Sequence, residues 1–299
     1  MTIRILGGCL RVFSWGAVLV LTGSVLVLLG YLLVKGIPSL GRDLIFGQVD
    51  VLDAVLLKKR VFDGLFPAIA GTLSVVALSV GLAVPVGVCA GIYMSEFATV
   101  FQQRVFGLMF DILAGIPSIV IGLFGFSGAI FIHKYISNDF RPCLAVSVAA
   151  LAFLVLPYIT RTTQAAMQGL SIQIRQAALA LGATRVQNIF YVLLPRSFSG
   201  ILSGIILAIG RCAEDTAVIM LTGVVATAGI PGSLLGSYEA LPFYIYYISS
   251  QYTDAAELMS GYGAAIILLG VCAVLFFLAF LIKRHLAGPA GPARGRFHG

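Results

Sequence analysis

Three charged side chains fall within five residues of one another in a stretch that is otherwise apolar, "SGILSGIILAIGRCAEDTAVIMLTG" (199–223). They are Arg211, Glu214 and Asp215, with Thr216 next in line. On a helix the two acids stand at i+3 and i+4 from the arginine, so both can share its face. A charge at the centre of a membrane span is unfavourable by about 2.5–3.5 kcal/mol on insertion scales. Three of them must pair with one another or line a wet or protein-filled interior. As a pair-only arrangement the group is a self-satisfied structural ion pair. As a site, the guanidinium offers a planar fork of donors that can replace the water around an oxyanion. The acids then hold Arg211 in place, keep it from holding the anion too tightly, or accept a hydrogen bond from a protonated oxyanion.

A second pattern lies in residues 175–195, "RQAALALGATRVQNIFYVLLP", which is too mixed to be a span. The run "SIQIRQAALAL" (171–181) has strong helix formers after a serine suited to capping. Gly182 stands where a helix ends on a left-handed residue. A second short helical run follows, and Pro195 suits the first turn of the next span. The expected unit is a helix–turn–helix lying along the membrane face. Its alanines allow close approach by another protein, or it rests in the headgroups as an interfacial helix.

A third feature is Asp111, followed by "AGIPS" with Pro117 and Ser118. Pro117 removes a backbone donor, and Gly115 and Gly122 allow close helix approach. The expectation is a kinked span beside the charged triad, or a packing kink with Asp111 reaching the interface. Gly71, Thr72, Gly87 and Gly91 are expected to be helix-contact positions.

These features need a membrane around them. The chain is 60% hydrophobic and 10% charged, with a mean hydropathy of +1.04; soluble domains carry about 25% charged residues. Six spans of the necessary length are expected, at about 12–34, 67–93, 105–132, 143–160, 197–224 and 259–282. The first is read as a retained span, too long for a signal-peptide core. The fold class is all-α integral membrane.

The net charge of +7 is read as topology. With both termini cytoplasmic, eleven Lys and Arg fall inside and seven outside. That places 161–196 in the cytoplasm, and residues 140–212 contain no acid. No clustered basic face for nucleic acid is present. Cys9, Cys89, Cys143, Cys212 and Cys272 are scattered without a metal-binding or redox spacing. The histidines (His133, His285, His298) are placed outside the spans. No metal site, cofactor site or catalytic motif is expected.

The segment after Arg175 resembles the EAA loop of permease subunits of ATP-binding-cassette importers. That loop reads Glu-Ala-Ala, three residues, Gly, nine residues, Ile, one residue, Leu-Pro. Here Gln176, Ala177 and Ala178 are followed by Gly182, then Val192, Leu194 and Pro195, at the same spacing. Gln176 and Val192 are the departures. The resemblance sharpens to phosphate-specific importer permeases in stretches 65–98, 111–125, 179–185 and 200–211, and stretches 221–229 and 239–249 look more like the PstA-type subunit than its PstC-type partner. It covers about residues 64–284.

The resemblance implies a type I importer permease (MetI-like) fold of six transmembrane helices with a cytoplasmic coupling helix. It divides the chain into a first helix and external loop (1–63), a transmembrane domain (64–284) and a disordered cytoplasmic tail (285–299). Arg175, Gln176, Ala177, Ala178, Leu181, Gly182, Ala183, Thr184 and Pro195 would couple to the ATPase. Arg211, Glu214, Asp215, Thr216 and Ser118 would line the substrate pathway. The family's stretch at 211–217 reads Arg-Ala-Leu-Gly-Glu-Thr-Ala, so Asp215 replaces its Glu and Glu214 its Gly.

Implied partners are a second homologous permease, a dimer of cytoplasmic ATPase subunits, an external phosphate-binding protein and membrane lipid, in a bacterial inner membrane. The chain itself would catalyse nothing. Rival readings are the PstC-type partner permease or a permease for molybdate, tungstate or sulfate. Other classes are an ion-coupled secondary transporter, a membrane-embedded enzyme and a regulatory membrane partner.

Overall fold

The computed structural model describes residues 2–47, 49 and 64–286. The long helices are α1 (Thr2–Gly36), α3 (Phe66–Glu96), α5 (Ser118–Tyr135), α6 (Leu144–Gln168), α9 (Leu194–Glu214) and α12 (Ala255–Leu286). Shorter ones are α2 (Arg42–Phe46), α4 (Val100–Gly115), α7 (Ile172–Ala180), α8 (Arg185–Asn188), α10 (Ala217–Thr222) and α11 (Leu241–Gln251). Among the described residues, six helical stretches are long and apolar enough to cross a membrane. Among the described residues the one sheet-like feature is a bridge between Val224 and Tyr238. The expectations for residues 51–63 and for tail residues 287–299 lie outside the described residues, and residues 285–286 of the expected tail belong to α12.

The core is α3 packed along α6, with α9 against α6 and α10 against α5. Val75, Ala83, Leu151, Val155, Ile159, Ala208 and Val218 fill it. α3 and α6 approach closely because α3 is glycine where α6 is bulky. A Cβ on Gly87 would meet the Ile159 side chain at 2.8 Å. Gly91 meets Thr163 in the same way one turn on. Both helices carry an internal proline, Pro85 and Pro157, which membrane helices tolerate because neighbours satisfy the freed backbone groups. α1 and α12 pack on each other at the periphery and turn Leu19, Leu26, Val274 and Phe277 outward. In lipid such exposure is favourable.

The structure corrects two spans. The stretch 105–132 is two helices. α4 begins in a capping box in which Thr99 Oγ1 accepts from the Gln102 amide at 3.3 Å. It ends at Gly115, and α5 starts at Ser118 after Pro117. Proline lacks an N–H and biases the residue before it toward extended backbone; Ile116 is extended, with ψ 129°. Of the two, only α5 is long and apolar enough to cross a membrane. Gly122 packs against Ala217 and Val218 as expected, whereas a Cβ on Gly115 would meet nothing within 4 Å. His133 falls in the last turn of α5, inside this helix rather than beyond it.

The stretch 197–224 is likewise broken. α9 ends at Glu214, Asp215 is extended (ψ 111°), and α10 restarts at Ala217. Residues 223–240 then fold back over the start of α6. Leu144 N–H donates to the Gly236 carbonyl at 3.0 Å and Ala145 N–H to the Leu234 carbonyl at 2.8 Å. Those donors would otherwise lack helical partners.

Candidate functional site

Arg211, Glu214 and Asp215 come together at the break between α9 and α10. Arg211 Nη1 donates to Glu214 Oε1 at 3.2 Å, and Nη2 lies 3.2 Å from Asp215 Oδ2. The two acids differ in surroundings. The Asp215 side chain is 2% exposed, that of Glu214 65% and that of Arg211 33%. Asp215 also accepts the Val218 N–H on Oδ1 at 2.8 Å, which caps α10. Its carboxylate therefore has two duties, starting α10 and orienting the guanidinium. Glu214 is paired with Arg211 through one oxygen while most of its side chain stays exposed.

Thr216 stands at the start of α10 without a side-chain capping bond, half-buried. Ser118 opens α5, one turn before the Gly122 contact with α10. The structure thus sets Ser118 on the helix that packs beside the triad's α10.

The second group is the loop under α6 and α9. α7 runs Ile172–Ala180, and Gly182 takes φ +87°, the left-handed turn expected there. Ser171 has extended backbone but makes no side-chain capping bond, so that capping expectation is not met. Thr184 caps α8 in a box with Gln187, accepting its N–H at 3.3 Å. A π turn over Ile189–Leu193 joins α8 to α9, with Pro195 in the first turn of α9. Leu181 is 90% exposed and Tyr191 80%, beside exposed Ile172, Val186 and Phe190. Gln176 and Ala177 are exposed, while Ala178 and Ala183 are half-buried.

Arg175 turns inward. Its guanidinium donates to Glu96 Oε1 at 2.8 Å and Oε2 at 3.3 Å, to Ser95 Oγ at 3.2 Å and to the Met167 carbonyl at 2.9 Å. Sequence reasoning missed this bond, because Glu96 stands 79 positions away. It also missed Arg161, which pins α4. Arg161 Nε donates to Asp111 at 3.0 Å, Nη2 to the Gly107 carbonyl at 2.7 Å and Nη1 to Gln164 at 3.2 Å. Asp111 is 64% exposed, and exposed ion pairs contribute about 0–1 kcal/mol. The Gly107 bond therefore carries most of that pin, while Gln164, on α6 itself, orients the guanidinium.

At the far end of the molecule a cavity of about 500 Å³ is lined by Asp43, Glu239, Glu257, Tyr244 and Ser260 among others. Burial pushes the Glu239 carboxyl above its ordinary range, opposed by hydrogen bonds from the Gly229 and Ala228 backbone. Among the described residues no cluster of His, Cys, Asp and Glu could hold a metal ion.

The family described as binding-protein-dependent transport system inner membrane component matches residues 83–288. The chain belongs to this family and is a multi-pass inner-membrane permease component. It is 31% identical over 229 residues to phosphate transport system permease protein PstA 1 of Mycobacterium tuberculosis, covering 76% of this chain and 73% of that protein. It is 30% identical over 251 residues to PstA of Haemophilus influenzae, covering 83% and 84%.

PstC 1 of Mycobacterium bovis is 29% identical over 238 residues, covering 72% of this chain and 66% of its own length. The fold resembles that of the MetNI methionine ABC transporter in inward-facing form, with TM-score 0.56, 18% identity and coverage of 80% and 99%. It also resembles a chain of a bacterial alginate ABC transporter, with TM-score 0.62, 15% identity and coverage of 93% and 96%. The type I importer permease fold expected from the EAA-like loop is the fold observed.

Proposed function

We propose that this chain is one of two permease subunits of an ATP-driven inorganic phosphate importer. The observation that carries the reading is the Glu214–Arg211–Asp215 triad, whose arginine side chain is a third exposed in the single chain. A charge in the membrane needs a second wall. A homologous permease supplies that wall, with the pathway between the two. The relatives named for phosphate transport support phosphate as the anion.

Arg211 replaces part of the anion's water as it crosses. Asp215 fixes the guanidinium, and Glu214 keeps the grip weak enough for release or accepts a proton-bearing oxygen of the anion. Thr216 and Ser118 add hydroxyls along the same path. The segment 171–195 faces the cytoplasm, both termini lie on that side, and Lys and Arg distribution supports this orientation. Gln176, Ala177, Ala178, Leu181, Gly182, Ala183 and Thr184 meet a cytoplasmic ATPase. Pro195 starts the helix that leads to Arg211, and Arg175 holds the docking helix from within. An external binding protein delivers phosphate, and ATP binding by a pair of ATPase subunits drives alternating access. The chain has no catalytic role.

The test is uptake of radiolabelled phosphate by cells that lack their own high-affinity importer and carry this chain with its partner subunits. Phosphate alone should compete. Competition by sulfate or molybdate at equal concentration would reassign the substrate, and uptake driven by a proton gradient without ATP would overturn the class.

A further inference from the structure

We propose that α3 is the rod that carries movement of the coupling segment to the external loop 223–240, and that Glu96 and Arg175 are the positioning residues that fasten its inner end. The proposal rests on the importer reading above. α3 holds 31 residues, which at 1.5 Å per residue is about 46 Å, enough to cross the membrane from face to face.

Both of its ends are tied to the segments that must move together. At the inner end, Arg175 is the single charged residue of α7, and it points at α3 rather than outward. The Glu96 side chain is 9% exposed and that of Arg175 22%. Two guanidinium nitrogens reach the two carboxylate oxygens, and Ser95 Oγ donates to Glu96 Oε1 at 2.8 Å. Forked, largely dry pairs of this kind fix geometry as well as distance. The Arg175 carbonyl accepts Asn188 Nδ2 at 2.9 Å, which ties the end of α8 to the same point. A second clamp comes from α8, where the Arg185 guanidinium lies 5.6 Å above the Phe97 ring.

At the outer end, Thr72 Oγ1 accepts the Leu241 N–H at 2.9 Å. Gly71 lies so close to the Glu239 carbonyl that a Cβ there would collide with it. One helix is therefore bonded to the docking segment at Glu96 and to the end of the external loop at Thr72. Rigid elements with specific bonds at both ends are the physical carriers of coupling between distant sites.

The experiment uses the full complex in proteoliposomes, with binding protein inside the measured compartment. It records ATP hydrolysed per phosphate moved. It also records the ATP-driven change of a fluorophore at Leu235→Cys, in a background without other cysteines. Glu96→Gln and Arg175→Gln are expected to raise ATP per phosphate about tenfold, within the reach of measured coupling changes, and to suppress the fluorescence change to a similar degree. The exchanged pair, Glu96→Arg with Arg175→Glu, should restore both. Thr72→Val, at the opposite end, should suppress the fluorescence change while hydrolysis continues, and it serves if the inner variants fail to assemble.

Single variants that assemble and keep both readouts at wild-type values would overturn the proposal. So would hydrolysis and uptake falling in step with no recovery in the exchanged pair, which is the behaviour of a merely structural bond. If wild type hydrolyses ATP and moves no phosphate, the substrate reading fails, and the fluorescence change alone decides on α3.

Discussion

Replacing Asp215 separates its two duties. Asp215→Asn leaves an oxygen for the Val218 N–H, held at 2.8 Å, and removes the charge that faces Arg211 at 3.2 Å. Hydrogen bonds to charged groups are worth about 1.5–3 kcal/mol. Arg211 is a third exposed and retains Glu214, so the lower end applies. About 1.5 kcal/mol corresponds to a tenfold change in the population of correctly oriented guanidinium. Asp215→Ala also loses the cap, about 1 kcal/mol more, and leaves Arg211 with one exposed partner.

The assay is phosphate uptake in membrane vesicles, normalised to assembled complex. Asp215→Asn should assemble at the wild-type level with uptake down about tenfold. Asp215→Ala should lose assembled complex as well. Full uptake by Asp215→Asn, with Glu214→Gln inactive instead, would refute the division of labour between a buried orienting acid and an exposed one.

Other expectations follow from single contacts. Gly71→Ala would force α3 away from the Glu239 carbonyl and destabilise by about 1–3 kcal/mol, whereas Gly81→Ala, with nothing within 4 Å of its Cβ, should be neutral or stabilising; thermal unfolding of the solubilised complex compares them. Burial holds the Glu239 carboxyl above its ordinary range, so its contribution to stability is complete below the unfolded carboxylate range and declines as pH rises through its folded value. Glu239→Gln, which keeps an acceptor for the Gly229 N–H, should remove that decline in melts taken from about pH 4 to pH 8. Gly182→Ala meets no atoms but must keep φ +87°, a strain of about 1–2 kcal/mol; weaker pull-down of the ATPase, with the membrane part intact, is the expected readout.

Much of this was legible from residue type and spacing. Gly182 announced its left-handed turn because it closes an alanine-rich helix and is followed by a second run. That the acids at i+3 and i+4 could share a face with Arg211 was legible from spacing, but not that both contact it, with Asp215 beyond the helix end. The breaks were harder to see, since apolar sequence continues across them. Val105 to Ile132 reads as one span although Pro117 divides it. Ala217 resumes an apolar run although Asp215 has left the helix to cap the next one. Long-range bonds were not legible at all. Nothing local marks Glu96 as the partner of Arg175 or Gly107 as the acceptor for Arg161, because those contacts exist only once α7 has packed on α3 and α4 on α6.

The most direct measurement of the central claim is phosphate uptake and ATP hydrolysis in the reconstituted complex, with Arg211→Ala and Arg211→Lys beside wild type. Uptake should be lost in Arg211→Ala and partly kept in Arg211→Lys, which retains the charge without the fork, while both complexes assemble and hydrolyse ATP. Undiminished uptake by assembled Arg211→Ala would contradict the placing of the translocation path at the Glu214–Arg211–Asp215 triad.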